Sequence, residues 1–219
     1  MAASKIKLGD FAEVKPGVPF RSRIENEPEG TYLVIQPRDL RADAQIDLES
    51  AARVTRVPPA QGWFLELGDV VIQPRGTRFS VGQFGTADLP AVAAAPLLIL
   101  RPDRSQVLPE FLAAVLMAPS TQAILRQSAV GTYVPQIPRH ALESLAFELP
   151  DLPMQMRLVE LARLGRRELE LMDRLRDMRG HLFDLAVREA AKRSPRRANA
   201  SGPSPVPASA PSPTGPLPN

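Results

Sequence analysis

The chain has 219 residues, 44% of them hydrophobic, which gives one domain of ordinary size (~100–150 residues) with a proper core and room for extensions. It has no cysteine and only two histidines, His140 and His181, so disulfides and thiolate metal sites are excluded and a reducing cytoplasm is the expected setting. The net charge of +3 is uneven: residues 1–150 hold 15 Lys+Arg against 16 Asp+Glu, and residues 151–219 hold 12 against 8, so no uniformly basic nucleic-acid surface is evident.

The N-terminal "MAASKIKLGD" lacks the apolar stretch of a signal peptide, and no apolar run reaches the ~18 residues of a membrane span. Next, "DFAEVK" (10–15) holds Asp10, Glu13 and Lys15, an echo of nucleases in which two carboxylates hold Mg²⁺ and a lysine steadies the phosphate. Those elements normally come from successive hairpin strands. Here they crowd into six residues, which argues against the enzyme reading.

Four short runs bounded by Gly, Pro and Asp then read as strands: "TYLVIQ" (31–36), "DVVIQ" (69–73), "RFSVGQF" (78–84) and "PLLILR" (96–101). The segment 109–131 predicts two short helices broken at Pro119, with Ser120 as the second N-cap and Gly131 as the stop. His140, in "PRHALES", stands at an apparent helix start and reads as a capping or surface residue. A last strand is expected in "LAFELP" (145–150). Strands with segregated helices predict an α+β domain over residues 1–150.

Residues 151–193 predict one long helix entered at Pro153. Counted in sevens, Leu161, Glu168, Leu175 and Leu182 fill one position, and Leu164, Leu171, Met178 and Leu185 the other. That two-position seam is the mark of a coiled coil rather than of the wider stripe of a globular helix. About 40 residues at ~1.5 Å each would span roughly 60 Å, more than the neighbouring domain needs. The remainder, 194–219, is proline, alanine and serine without apolar periodicity, and is expected to be disordered.

No Walker loop, Rossmann glycine run or nucleophile elbow is present. Four stretches instead form an ordered set: "KLGDFAEVKPGVPF" (7–20), "LELGDVVIQPRGT" (65–77), "LPEFLAAVLMAPSTQAILRQSAVGT" (108–132) and "QIPRHALESLAFELPDLPMQMRLVEL" (136–161), the last carrying Gln155 at its helix start. Together they resemble the DNA specificity subunit of type I restriction–modification systems, over nearly all of residues 5–190. The resemblance implies one target recognition domain of short twisted strands and two small helices, followed by one long coiled-coil-like helix. Asp151 stands where the family often has a second proline. The usual subunit carries two recognition domains and two such helices packed antiparallel, so this chain resembles a half-subunit.

The resemblance also implies a role and partners. The chain would read double-stranded DNA and guide methyltransferase (modification) subunits, and a restriction or translocase subunit, to a target. It would pair with a second copy or another half-subunit through Leu161, Leu164, Leu171, Leu175, Met178, Leu182 and Leu185. Methyl transfer and ATP use would belong to the partners, so no cofactor, metal or catalytic residue is expected in this chain. Partner subunits gripping the phosphates would reconcile DNA binding with a near-neutral domain. Loop arginines can hold guanine bidentately and glutamine can hold adenine. By that chemistry the candidate readers are Arg21 and Arg23 after Gly17, Arg75, Thr77 and Arg78 around Gly76, and Tyr133 and Gln136 after Gly131. The rival is a coiled-coil assembly protein whose domain does not read DNA sequence.

Overall fold

The structure, a computed structural model, describes residues 5–56 and 63–193, the last by its backbone alone; the expected disordered tail lies outside the described residues. In chain order the elements are β1 (Lys5–Lys7), α1 (Leu8–Phe11), β2 (Ala12–Pro16), β3 (Tyr32–Ile35), β4 (Ala52–Val54), β5 (Val70–Ile72), β6 (Val81–Gln83), β7 (Ala91–Ala93), β8 (Leu98–Pro102), α2 (Pro109–Met117), α3 (Pro119–Ser128), α4 (Arg139–Glu143), β9 (Ala146–Glu148) and α5 (Leu152–Arg193). The α+β class is as expected. Two units divide the chain, one up to Glu170 and one from Leu171.

The first unit is built on a four-stranded antiparallel sheet in the order β2-β8-β5-β6. Along β5, Val70 and Ile72 pack with Phe79, Leu112, Leu116 and Leu125 under α2 and α3. Val71 between them joins Ile99, Ile35 and Ala93 on the opposite face, against a second sheet, β4-β3-β7. Both faces are covered, which is why "VVI" reads as an unbroken apolar run instead of alternating with polar residues. A third pair, β1 with β9, ties the two ends of the first unit together.

Ser120 is not the cap of α3. Ala118 holds that position and Pro119 is the first helical residue, where its fixed φ and missing N–H cost nothing. The strands β1, β2, β4 and β7 add to those expected, and β6 starts three residues later than its run suggested.

The register gives the central sheet two distinct ends. Pro16, Leu98, Ile72 and Val81 are cross-strand neighbours at one end, from which the β2–β3 loop and the β5–β6 turn depart. Ala12, Pro102, Val70 and Gln83 mark the other. That second end is clamped by polar groups. Gly68, at φ +88°, supplies the positive φ that the 66–69 turn needs, and Asp69 Oδ2 accepts from the Glu66 amide at 2.8 Å. Arg101 then grips the buried Asp69 carboxylate bidentately, Nε to Oδ1 at 2.9 Å and a terminal nitrogen to Oδ2 at 2.8 Å. These hydrogen bonds raise the Arg101 pKa above its ordinary value.

Gln155 forms the second clamp. Fully buried, its amide oxygen accepts from the Leu108 backbone N–H at 2.8 Å, and its amide nitrogen donates to the carbonyls of Gln106 (2.9 Å) and Pro150 (2.8 Å). The helix start is thereby bolted to the β8–α2 connection. Gln155→Ala leaves three part-buried backbone groups without this partner, and a urea titration of the full chain should record a loss of about 1–3 kcal/mol.

Down the first turns of α5, Leu152, Gln155, Val159, Ala162 and Arg166 form the less exposed stripe, and Val159 packs on the core. Leu161 and Leu164, 67% and 56% exposed, fall roughly half a turn around the helix from that stripe at ~3.6 residues per turn. In the second unit, Leu171, Leu175, Met178, Leu182 and Leu185 are all exposed. None of the described helices is long and apolar enough to cross a membrane.

Candidate nucleic-acid interface

The loop end of the central sheet gathers most of the predicted residues. The β5–β6 turn carries Arg75, Thr77 and Arg78, all exposed, and is anchored at its base by the fully buried Phe79. Gln122 of α3, itself buried, fixes that anchor. Its amide nitrogen donates to the carbonyls of Phe79 (3.0 Å) and Leu116 (2.9 Å), and its oxygen accepts from the Phe79 amide at 3.4 Å.

A second loop, 130–137, lies against this turn. Val130 and Gln136 exchange two backbone hydrogen bonds, of 2.9 and 2.8 Å. The Gly76 amide donates to Pro135 O at 2.9 Å, and the Ile137 amide to Pro74 O at 2.8 Å. The result is a miniature sheet in which Arg75 stands directly opposite Gln136, and Arg75 Nε donates to Gln136 Oε1 at 2.9 Å. Gly131 has φ +104°, and a Cβ there would lie 3.0 Å from Val134 O, so the tip needs glycine. Tyr133 at that tip is 99% exposed; it does not pack on the domain.

The β2–β3 loop leaves the same end two strands away, which at ~4.8 Å per strand is roughly 10 Å. Val18 anchors its start: it is fully buried, and its amide donates to Ala93 O. Its far side is tied back to β4, where the Arg53 amide donates to Asn26 Oδ1 at 2.9 Å and the Thr55 amide to Glu27 Oε2 at 2.9 Å. The Thr55 hydrogen bonds, hydroxyl first, hold the Glu27 carboxyl below its ordinary pKa. Arg21 and Arg23 lie exposed between these anchors and share no hydrogen bond or ion pair with the Arg75 cluster among the described residues. Arg75 and Arg78 likewise form no ion pair there.

Two solved structures of similar fold are an HsdS subunit from Thermoanaerobacter tengcongensis (TM-score 0.54, 20% identity, 78% of this chain and 39% of that one) and a type I restriction–modification S subunit from M. genitalium (TM-score 0.51, 17% identity, 83% and 43%). A chain from a structure on complex assembly and conformational transition of the type I restriction–modification system matches at TM-score 0.62, with 19% identity over 83% of this chain and 43% of that one. The fold is that of a type I specificity subunit. No family model and no curated protein matches the sequence. The chain spans about two fifths of the length of the specificity-subunit structures it resembles.

Within this specificity-subunit fold, the expected pieces sort as follows. Arg75, Thr77, Arg78, Tyr133 and Gln136 lie on the two loops braced together at the loop end, and Arg21 and Arg23 lie on the separate β2–β3 loop that leaves the same end. Gln122 was not among the sequence candidates; its only signal is a polar residue between the buried Thr121 and the apolar "AIL" of α3. The Asp10, Glu13 and Lys15 set is spent on local contacts: Asp10 Oδ2 accepts from the Lys7 amide at 3.2 Å, and Glu13 pairs with Lys15 at 2.9 Å. Among the described residues no group of three His, Asp or Glu is arranged to hold a metal ion. His140 sits in the first turn of α4, exposed.

Proposed function

We propose that this chain is a sequence-specific DNA-recognition subunit of a type I-like restriction–modification system, non-catalytic and cytoplasmic, that carries methyltransferase and nuclease partners to a target. The observation that carries this reading is the gathering of braced, cation-bearing loops at one end of the sheet in a fold shared with specificity subunits. Base edges are read by side chains on loops held by a rigid scaffold, while phosphates set register. Arg21, Arg23, Arg75, Thr77, Arg78, Tyr133 and Gln136 make up that reading surface, with residues 1–150 as the recognition domain and 151–193 as the spacer helix.

A split target needs two such domains, and the exposed seam of α5 provides the joint with a second copy or another half-subunit. A parallel, in-register pair would set two Glu168 carboxylates side by side in the seam. An antiparallel pair with Leu171 opposite Leu175 places Leu161 opposite Leu185, Leu164 opposite Leu182 and Glu168 opposite Met178, which avoids that repulsion. The test is enrichment of randomised DNA duplexes by the full chain, alone and with a modification subunit. A defined two-part motif is expected, with affinity falling as salt rises. Retention of all duplexes alike would favour the assembly-protein reading instead.

A further inference from the structure

We propose that Gln136 is a positioning residue for Arg75, and that Arg75, held by it, reads one base, a guanine. The inference rests on the DNA-recognition reading above and names the chemistry of its central contact. The backbone bonds Gly76 N to Pro135 O and Ile137 N to Pro74 O bracket the Arg75–Gln136 pair without joining the two residues themselves. This is the non-hydrogen-bonded kind of antiparallel pair, in which opposed Cα atoms come within ~4.5 Å and the side chains lie closest. Gln136 Oε1 accepts from Arg75 Nε at 2.9 Å in consequence.

That bond divides the labour between the two. A guanidinium has five N–H donors, and with Nε–H committed the four on its terminal nitrogens remain, without a partner among the described residues. Those are the donors for an end-on bidentate grip on guanine O6 and N7. Glutamine needs both amide atoms turned to the base to grip adenine, and the Gln136 amide has its oxygen turned to Arg75 instead. Gln136 therefore aims the arginine and does not read a base itself. Its own place is fixed by the two-way backbone bonds to Val130, and Gln73 Nε2 steadies the other side by donating to Arg75 O at 2.9 Å. The fork meets DNA with part of its rotamer freedom already removed.

The experiment takes the full chain, randomised DNA duplexes, and the variants Arg75→Ala, Gln136→Ala and Gln136→Glu. Both alanine variants should relax the same guanine position, Arg75→Ala by roughly 5- to 150-fold and Gln136→Ala by less, while Gln136→Glu, which still accepts from Nε, keeps the preference. Relaxation at two different positions, or loss of an adenine preference in Gln136→Ala, overturns the proposal. A wild-type chain that enriches no motif overturns the DNA-recognition reading and the proposal with it. A second measurement stands apart from DNA. The Arg75 Nε proton should exchange with water more slowly than those of Arg21 and Arg78 by NMR, and the difference should vanish in Gln136→Ala. Equal exchange in the wild type would show that the brace does not exist, whatever the DNA result.

Discussion

Replacing Asp69 by alanine is expected to destabilise the first unit by about 3 kcal/mol, the low end of what breaking a buried ion pair costs. Arg101 would lose both halves of its bidentate grip while its side chain stays only 22% exposed, and the 66–69 turn would lose the bond that closes it. The urea midpoint of the full chain, at fixed protein concentration, measures this. Asp69→Leu combined with Arg101→Met should lose less than Asp69→Ala alone, because the only charge then left without its counterion, Glu66, is exposed. A loss below about 1 kcal/mol for the alanine variant would mean that water replaces the carboxylate at little cost, and the clamp assignment would fall.

Changing Leu171 and Leu175 together to aspartate should turn a dimer into a monomer. Each buried leucine contributes about 1.5–3 kcal/mol, and two-fold symmetry counts every substitution twice. The dissociation constant should therefore rise by at least about a thousandfold. Sedimentation velocity at micromolar concentration distinguishes the two states, and the circular dichroism of the first unit should persist. Leu171 and Leu175 are 45% and 54% exposed and belong to no core cluster, so the substitution removes no core packing from the isolated chain. A wild-type chain that sediments as a clean monomer would remove the seam as a joint.

Much of this fold was legible in the sequence because its signals are local. The β-branched runs around Val34, Val71 and Ile99 announced strands, and the seven-residue spacing from Leu161 to Leu185 announced α5. The strands β4 and β7 were less visible because "ARV" and "AVA" are short and alanine-rich, and become strands only through pairing with β3. The same divide runs through the candidate site. Arginines and glutamines beside glycines could be picked out as loop residues, but the partnership of Arg75 with Gln136 crosses 61 residues of sequence. Asp69 and Arg101 are 32 apart, and Gln122 and Phe79 are 43 apart. No local spacing encodes such contacts. They follow from which strands neighbour one another, and that is a property of the assembled sheet.

The two ends of the central sheet have different freedom to change. Arg101 with Asp69, and Gln155 with the β8–α2 connection, lie at the end away from the candidate reading loops. At the loop end the fold depends on a few inward anchors, Val18, Phe79 and Ile137, with Gln122 behind them. Apart from Ile24, which packs beside Val18, and Gly76 and Gly131, whose positive φ needs glycine, residues 21–25, 75–78 and 131–134 between those anchors contribute almost nothing to the core. A lineage could therefore exchange them, even several at once, and acquire a new recognition preference before stability objected. Innovation is confined to one rim of the domain, and the opposite rim keeps the domain folded while it happens.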